Sequence, residues 1–263
     1  MKIPIYHVDA FSETVFSGNP AAVCILSEWL PEPQLQMIAA ENLLPVTAFL
    51  KLESNGYSTR WFTPENELPL CGHGSLASGL IIFHYLQPEK THIELHSQHS
   101  GTLTLSLAQG AIQLEFPSKP PSPHPIPDIL PKALGAPVKE FHAYHQERCL
   151  ILLEDEDTVR KLKPNLQELE QLSYKGFVVT APGKVRDFVS RTFYPGKIMF
   201  PEDPVTGASH CMLMPYWAEK LGKNALTAQQ LSPRGGYLSC ELRGDTVIIS
   251  GHAALYSEGL ISI

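Results

Sequence analysis

The fold is decided by a pattern that occurs twice: Arg60-Trp-Phe-Thr-Pro64 followed by Gly72-His-Gly-Ser75, and Arg191-Thr-Phe-Tyr-Pro195 followed by Gly207-Ala-Ser-His210. Each copy predicts a strand that ends in R-x-F-x-P, then a loop, then a glycine at which a helix begins. The helix is apolar almost all round in both copies, which is typical of a helix that is buried on every side.

Other segments also recur in the same order. Residues 101–116 and 236–250 both alternate apolar and polar residues around a turn with a glycine, which predicts a strand-turn-strand unit in each half. A repeated order of elements indicates internal duplication. Further strands are predicted at 3–10, 21–26, 48–51, 58–62, 92–96, 148–153, 176–180 and 188–193, and helices at 33–42 and 165–172. The sequence therefore predicts two curled sheets, each wrapped around its own helix.

The chain of 263 residues is long enough for two lobes. In the stretch from Pro117 to Pro137, eight of 21 residues are proline, which argues against a helix or a central strand there. We therefore predict a first lobe at 1–116, a proline-rich linker at 117–137 and a second lobe at 138–263, with a C-terminal strand free to cross back to the first lobe.

Composition excludes several classes of function. Twenty Lys and Arg residues against 27 Asp and Glu give a net charge of −7, without the basic clusters that bind nucleic acid. No stretch reaches the roughly 18–20 apolar residues of a membrane span, and the N-terminal residues lack the apolar core of a signal peptide. The five cysteines are widely spaced and include no C-x-x-C pair, so reduced thiols and no metal site are predicted. We expect a cytoplasmic protein with no nucleic-acid or membrane partner.

The two helix starts are the candidate site. A helix start presents unpaired N–H groups and a positive dipole end, and glycine lets a ligand approach the backbone. If an approximate twofold axis relates the halves, the starts near Gly72 and Gly207 face each other across a cleft and form a receptor for a small carboxylate. The alternative is that these glycines only begin two buried helices.

Polar side chains accompany both starts: His73 in the first half, and Asp203, Ser209 and His210 in the second. The helix dipole disfavours a charged His73, which leaves a neutral imidazole able to exchange protons. Nearby N–H donors favour the carboxylate form of Asp203. The alternatives are a packing role for His73 and a capping role for Asp203.

These residues resemble the PhzF-like phenazine-biosynthesis family over the whole chain. The matching segments are VDAFSETVFSGNPAAVCIL at 8–26, FTPENELPLCGHGSLAS at 62–78, FPEDPVTGASH at 200–210, RGG at 234–236 and GHAAL at 251–255. The resemblance implies an α+β, diaminopimelate-epimerase-like fold, in which two similar lobes related by a pseudo-twofold axis are each a β-barrel around a central helix. It also implies a homodimer and a metal-free, cofactor-free isomerase that moves a proton along a small cyclic unsaturated acid.

The resemblance assigns site residues by position. It places catalytic roles at His73 and Asp203, and it places the anion-holding backbone at Gly72, Gly74 and Gly207. It adds three further substrate-binding positions: Asn19, Ser75 and Ala208.

Two positions depart from the family pattern. Where the family reads S-E-T-[AT]-F, this chain has Pro45-Val46-Thr47-Ala48-Phe49, so Val46 stands at the catalytic glutamate. Where the family has T-G-S, this chain has Thr206-Gly207-Ala208, so Ala208 stands at the active-site serine. A positioned acid/base contributes about 10²–10⁴ in rate, so the ordinary proton shuttle is expected to be impaired.

Several alternatives follow from these departures. Ser209, one residue late, could restore a hydroxyl, and Glu65 or Glu67 could supply a carboxylate. Cys71 raises a racemase mechanism with one thiol from each lobe, although a small buried residue is the simpler interpretation. The main alternative to an isomerase is a catalytically silent member that binds a small molecule or a protein.

Overall fold

The chain divides into two units. The structure is a computed structural model that describes residues 1–145 and 148–263. Unit 1 contains residues 1–115 and 250–263, and unit 2 contains residues 116–249. The C-terminal strand therefore belongs to unit 1, and the proline-rich segment 117–137 belongs to unit 2.

The main strands and the central helix follow one another in the same order in the two units, while unit 2 adds a short strand and a short helix at its start and has two short helices in place of one. Unit 1 has β1 (Lys2–Ala10), β2 (Asn19–Leu26), α1 (Glu32–Asn42), β3 (Val46–Glu53), β4 (Gly56–Phe62), β5 (Glu67–Leu68), α2 (Gly72–Ile81) with a π-helical turn (Ile82–Leu86), β6 (His92–Ser97), β7 (Gly101–Ala108), most of β8 (Ala111–Pro117), and β18 (Ala253–Ser262). Unit 2 has β9 (Ser122–Pro123), α3 (Leu130–Leu134), β10 (Glu140–Tyr144), β11 (Arg148–Leu152), α4 (Glu156–Lys161), α5 (Leu166–Leu169), β12 (Gly176–Pro182), β13 (Phe188–Phe193), β14 (Glu202–Asp203), α6 (Gly207–Leu221), β15 (Ala225–Gln230), β16 (Gly236–Arg243) and most of β17 (Thr246–Gly251).

Strand pairing confirms the duplication. In unit 1, β1–β2 is antiparallel, β2–β3 parallel, β3–β4 antiparallel, β4–β6 parallel and β6–β7 antiparallel. In unit 2, the pairs β10–β11, β11–β12, β12–β13, β13–β15 and β15–β16 repeat that series of directions. Both units thus carry the mixed sheet that the repeated sequence pattern predicts.

Each unit has a buried central helix, as the all-round apolar pattern predicts. Nine of the ten residues of α2 are buried, and the helix packs against β1, β2 and β3. Ten of the 15 residues of α6 are buried, and it packs against β11, β15 and β16. No helix of the described residues is long and apolar enough to span a bilayer.

Pro215 lies inside α6 and removes one hydrogen bond of the helix. A proline lacks the N–H that would bond to the carbonyl four residues earlier, which is the carbonyl of Cys211. The backbone N–H of Lys119 donates to that carbonyl over 2.9 Å instead. The proline-rich segment therefore supplies the N–H donor for the Cys211 carbonyl, which Pro215 leaves without one inside the helix.

The prediction that the proline-rich segment 117–137 contains no helix is wrong. The five residues Leu130–Leu134 form α3, in which Pro131 occupies the first turn, where its missing N–H costs nothing. The helix ends at Gly135, whose positive φ of 66° is the left-handed conformation that suits glycine. The predicted helix at 165–172 is shorter in the structure, where α5 spans Leu166–Leu169.

A cluster of ionisable side chains joins β10 to the second half of α6. The carboxylate of Glu140 accepts hydrogen bonds from Lys220 Nζ at 2.6 Å and Tyr216 OH at 2.8 Å, and it lies 3.0 Å from His142 Nε2. Although burial opposes ionisation, hydrogen bonds from Lys220, His142 and Tyr216 lower the pKa of Glu140 to about 2. Its ionised form therefore stabilises the folded state.

This cluster predicts acid-sensitive stability. The depressed folded-state pKa of Glu140 means that its contribution is complete above about pH 4.5 and is lost as the pH falls toward 2. We expect Glu140→Gln to lower the melting temperature at pH 7 and to flatten its decline between these pH values, measured by circular dichroism. Glu258→Gln, on the exposed β18 strand, is the control. If the melting temperatures of Glu140→Gln and the wild type depend on pH in the same way, the prediction is contradicted.

Candidate functional site

The helix start of unit 1 begins at Gly72, directly after the buried thiol of Cys71. Cys71 is extended and precedes the helix without accepting a side-chain hydrogen bond from it in the described structure. Its carbonyl accepts hydrogen bonds from the Ser75 amide at 3.0 Å and the Ser75 hydroxyl at 2.7 Å. Ser75 is completely buried, and its two hydrogen bonds to Cys71 stabilise the first turn of α2.

His73 is the partly exposed side chain of this helix start. Its Nδ1 atom lies 3.4 Å from the Sγ atom of Cys71, which is 6% exposed. An imidazole beside a thiol at the positive end of a helix is a pair that can exchange a proton. The sequence predicted His73 here but treated Cys71 as packing.

Val46 lies against the same helix start. Its Cγ1 atom would be 3.2 Å from a β-carbon added to Gly74, and Cδ1 of Trp61 would be 2.9 Å from that point. Val46 and Trp61 are both completely buried. The indole N–H of Trp61 has no hydrogen-bond partner among the described residues. The helix start therefore has no room for a side chain at position 74. Val46, where the resemblance expects a glutamate, lies beside this glycine.

The remaining candidates of unit 1 occupy different surroundings. Asn19 is completely buried at the start of β2, opposite Ala10 in the sheet. Glu65 is exposed, and Glu67 forms a two-pronged ion pair with Arg60 at 2.7 and 2.6 Å. Hydrogen bonds from Arg60 lower the pKa of Glu67, so it is held as a carboxylate rather than poised as an acid.

The helix start of unit 2 is held by a network around Asp203. Thr206 precedes Gly207, and its hydroxyl donates to Oδ2 of Asp203 at 2.7 Å. The side-chain amide of Gln230 bonds the backbone at both residues: its Oε1 accepts from the Thr206 amide at 2.9 Å, and its Nε2 donates to the Asp203 carbonyl at 2.7 Å. Asp203 therefore lies in a loop that these hydrogen bonds hold in place directly before the helix.

The next three residues of α6 differ in exposure. Ala208 is partly exposed and corresponds to His73 of unit 1, because each follows the first glycine of its helix. Ser209 is completely buried, with its hydroxyl 3.3 Å from that of Thr192. Burial lowers the pKa of His210 to about 4, and its Nδ1 bonds to the Thr206 carbonyl, so this ring is a neutral packing group at pH 7.

Both units carry an arginine–glutamate pair that the sequence analysis missed. Arg191 binds both carboxylate oxygens of Glu202 at 2.7 and 2.8 Å, as Arg60 binds Glu67. Each guanidinium also lies over the phenylalanine two residues on, at 4.9 Å in unit 2 and 5.0 Å in unit 1. The signal in the sequence was a glutamate two residues before each proline of the helix-start loop. The pair fixes β14 and hence the backbone of Asp203.

The second thiol that a two-thiol racemase needs does not lie at the helix start of unit 2. Cys211 lies one turn inside α6, and burial raises its pKa to about 11. A protonated, buried thiol cannot accept a proton at neutral pH. Within residues 1–145 and 148–263, no group of three His, Cys, Asp or Glu side chains is arranged to hold a metal ion.

Comparison with known proteins places the chain in a family. The family model described as "Phenazine biosynthesis-like protein" matches residues 8–259. The chain is 43% identical, over the full length of both chains, to an uncharacterised isomerase of Pseudomonas aeruginosa. It matches the full length of the crystal structure of a PhzF-family protein from Enterococcus faecalis with a TM-score of 0.96 and 43% identity.

A more distant neighbour supports the fold alone. A hydroxyproline epimerase from Agrobacterium vitis has a TM-score of 0.61 with 11% identity, and the match covers 99% of this chain and 92% of that one. The α+β epimerase-like fold expected from the sequence is thereby confirmed. With a family model spanning residues 8–259 and relatives matched from end to end, the chain belongs to the PhzF-like phenazine-biosynthesis family.

Proposed function

We propose that this protein is a cofactor-independent isomerase that transfers a proton within a small carboxylate-bearing metabolite. The observation that carries the proposal is that each central helix begins at a glycine accompanied by a proton-carrying side chain. In unit 1 this side chain is His73, 3.4 Å from the thiol of Cys71, and in unit 2 it is Asp203 in the loop directly before α6. The isomerase names of full-length relatives support the same class of reaction.

The helix starts supply the anion-binding part of the proposal. In the described structure, neither Cys71 nor Thr206 accepts a side-chain hydrogen bond from the first N–H groups of its helix. These N–H groups and the helix dipole favour a carboxylate. The backbone around Gly72–Gly74 and Gly207–Ala208 would hold the acid group, because the Ser209 amide already donates to the Thr206 carbonyl at 3.1 Å. Ser75, whose hydroxyl donates to the Cys71 carbonyl, would support the start of α2, and Asn19 would be the further substrate-binding residue of unit 1.

In the proposed reaction, a proton leaves one carbon of the substrate and a proton is added to another carbon of the same molecule. No electrons are exchanged, because one C–H bond breaks and another forms. Ionised Asp203 suits the role of base, because it becomes a carboxylic acid when it takes the proton. This acid passes its proton by way of solvent to the neutral His73 imidazole, and the imidazolium returns it to the substrate, so both groups end in their starting forms. Val46 supplies no proton, so this chain is expected to be slower than a relative with an acid at that position.

Val46 also favours a second candidate function. A completely buried, apolar side chain at the position of the missing glutamate suits a protein that binds the acid without turning it over. Such a protein would act as a small-molecule-binding or protein-interaction module. The two functions make different predictions for one compound.

The test uses the dihydrobenzoate whose carboxylate-bearing carbon is saturated and flanked by two double bonds. Removal of the proton there and its return two carbons along the ring gives a conjugated isomer, which NMR distinguishes from the starting acid. The isomerase proposal expects conversion by the wild type and its loss in Asp203→Asn. Binding without conversion would favour the second function, and the absence of both would contradict the proposal.

A matched pair of glycine substitutions tests anion binding. A β-carbon at Gly74 would meet Trp61, Val46 and Cys71 at 2.9 to 3.3 Å, so Gly74→Ala displaces the start of α2. A β-carbon at Gly259, on β18, meets nothing within 4 Å. We expect Gly74→Ala to weaken the binding of benzoate about tenfold and Gly259→Ala to leave it unchanged, measured by titration calorimetry. Equal affinities in both variants would contradict the anion site.

We also propose a homodimer, because closed twofold dimers are the commonest symmetric assembly. Strand β18 leaves Tyr256 56% and Leu260 60% exposed, and the exposed ring of Phe16 packs against Tyr256 at 5.6 Å. Apolar side chains exposed together favour contact with a second copy. Sedimentation at tens of micromolar is expected to give twice the monomer mass, and the monomer mass alone would count against the proposal.

A further inference from the structure

Gln230 is a buried amide whose orientation is fixed by its partners. It is the last residue of β15 and is completely buried. The Thr206 amide can only donate and the Asp203 carbonyl can only accept, so Oε1 must face the former at 2.9 Å and Nε2 the latter at 2.7 Å. The alternative orientation of the amide would leave both contacts repulsive.

This orientation also sets the direction of the Thr206 hydroxyl. Nε2 of Gln230 donates to Oγ1 of Thr206 at 3.3 Å, so that oxygen accepts one hydrogen bond. Its single proton is then directed to Oδ2 of Asp203 at 2.7 Å. A directed chain runs from Gln230 through Thr206 to the carboxylate.

The duplication identifies the counterpart of Gln230 in unit 1. In unit 2 the parallel pair β13–β15 aligns Val189 with Gln229 and Ser190 with Gln230. In unit 1 the parallel pair β4–β6 aligns Ser58 with His96, so the next step of that register falls on Ser97. With the two R-x-F-x-P motifs superposed, Ser97 matches Gln230.

Unit 1 keeps the same loop without the amide or the carboxylate. The loop reads Glu67-Leu-Pro-Leu-Cys-Gly72 in unit 1 and Glu202-Asp-Pro-Val-Thr-Gly207 in unit 2, so Leu68 matches Asp203. The Ser97 hydroxyl donates to the Pro69 carbonyl at 3.4 Å and accepts from the His99 amide at 3.3 Å, so these contacts are with backbone groups. A loop of the same length, from an arginine-bound glutamate to a helix-start glycine, therefore forms without a glutamine, and the glutamine occurs in the unit that carries the acid.

We propose that Gln230 is a positioning residue for Asp203: through Thr206 it fixes the orientation of the carboxylate that takes part in proton transfer. The catalytic part of this inference rests on the proposed function of Asp203. The energetic coupling between Gln230 and Asp203 in the folded protein does not depend on that function. It is therefore measured separately, by unfolding without a ligand.

The first experiment is a double-mutant cycle that introduces the residues of unit 1. Gln230→Ser, Asp203→Leu and the double variant are unfolded in urea, with Gln229→Ser as the control on the neighbouring residue. We expect Gln230→Ser to reduce the folding equilibrium constant at least fivefold more in the presence of Asp203 than in the Asp203→Leu background. Gln229→Ser and Asp203→Leu are expected to be additive. Additivity for Gln230→Ser as well would overturn the inference, whatever the protein catalyses.

The second experiment follows conversion of the dihydrobenzoate defined above. Gln230→Ser is expected to lower kcat about tenfold or more with KM within about threefold, while Gln229→Ser keeps both. Thr206→Val is expected to lower kcat similarly, and Thr206→Ser, which keeps the hydroxyl, to retain it. These threonine variants replace Gln230→Ser if it does not fold.

The outcomes separate the inference from the proposed function. An unchanged kcat in Gln230→Ser and in Thr206→Val would overturn the inference while the isomerase stands. Coupling in urea together with a wild type that converts nothing would support the positioning of the carboxylate by Gln230 and contradict the isomerase.

Discussion

We expect Val46→Glu to accelerate isomerisation of the dihydrobenzoate by about 10²–10⁴-fold, the contribution of one positioned acid/base. The substitution places a carboxyl group beside Gly74, where Val46 Cγ1 now lies 3.2 Å from the β-carbon position. Burial raises the pKa of a carboxyl toward the range in which a proton can be both taken and returned. The indole N–H of Trp61, which has no partner within the described part of the chain, offers a donor to the new group.

Val46→Gln is the matched control for this variant. It has the same shape and keeps a hydrogen-bond acceptor for Trp61, but it cannot exchange a proton at neutral pH. Both variants are expected to be less stable than the wild type, because Val46 is completely buried and a longer side chain overpacks the site. Rates are therefore compared at a temperature where all three proteins are folded. Equal rates for Val46→Glu and Val46→Gln would contradict an acid/base role for this position.

The largest loss of stability is expected for Arg191→Met, at about 3–5 kcal/mol, the range for breaking a buried ion pair. The Arg191 side chain is 9% exposed. Besides Glu202, it donates to three backbone carbonyls, those of Val159, Arg160 and Leu162. The variant leaves these groups and the Glu202 carboxylate without their common partner.

The duplication provides the control for this variant. Arg60 makes the same two-pronged contact with Glu67, but its side chain is 17% exposed and its further partner is Glu32, which is 67% exposed. The exposed Arg60–Glu32 contact contributes little, and Arg60 donates only to carboxylates among the described residues, whereas Arg191 also holds three backbone carbonyls. Arg60→Met is therefore expected to cost clearly less than Arg191→Met. Urea unfolding of both variants measures the difference. Equal losses, or a larger loss for Arg60→Met, would contradict the assignment.

The elements of the fold follow closely from periodicity in the sequence. The strand predicted at 188–193 is Phe188–Phe193 in the structure, and both all-apolar helices are buried. These features depend on local spacing, which a single sequence carries. The short helix α3 was missed because prolines were taken to exclude a helix, although Pro131 occupies a first-turn position where it is tolerated.

Long-range contacts of the site could not be predicted in this way. Gln230 lies 24 residues after Thr206, and nothing in the local pattern of β15 distinguishes it from Gln229. Only the parallel register of β13 and β15 points Gln230 inward. The roles of His73 and Asp203 came from their positions beside helix-start glycines and remain predictions.

Incorporation of solvent deuterium shows whether this protein removes a proton from a bound carboxylic acid. The wild type is incubated with the dihydrobenzoate in D2O, and NMR measures deuterium at the carboxylate-bearing carbon of the recovered starting acid. This detects proton removal even when return to the original carbon outruns isomerisation. We expect deuterium at that carbon above the protein-free rate, and none above it with Asp203→Asn. A wild type that binds the acid, forms no conjugated isomer and leaves its hydrogen unexchanged would contradict proton transfer by this protein.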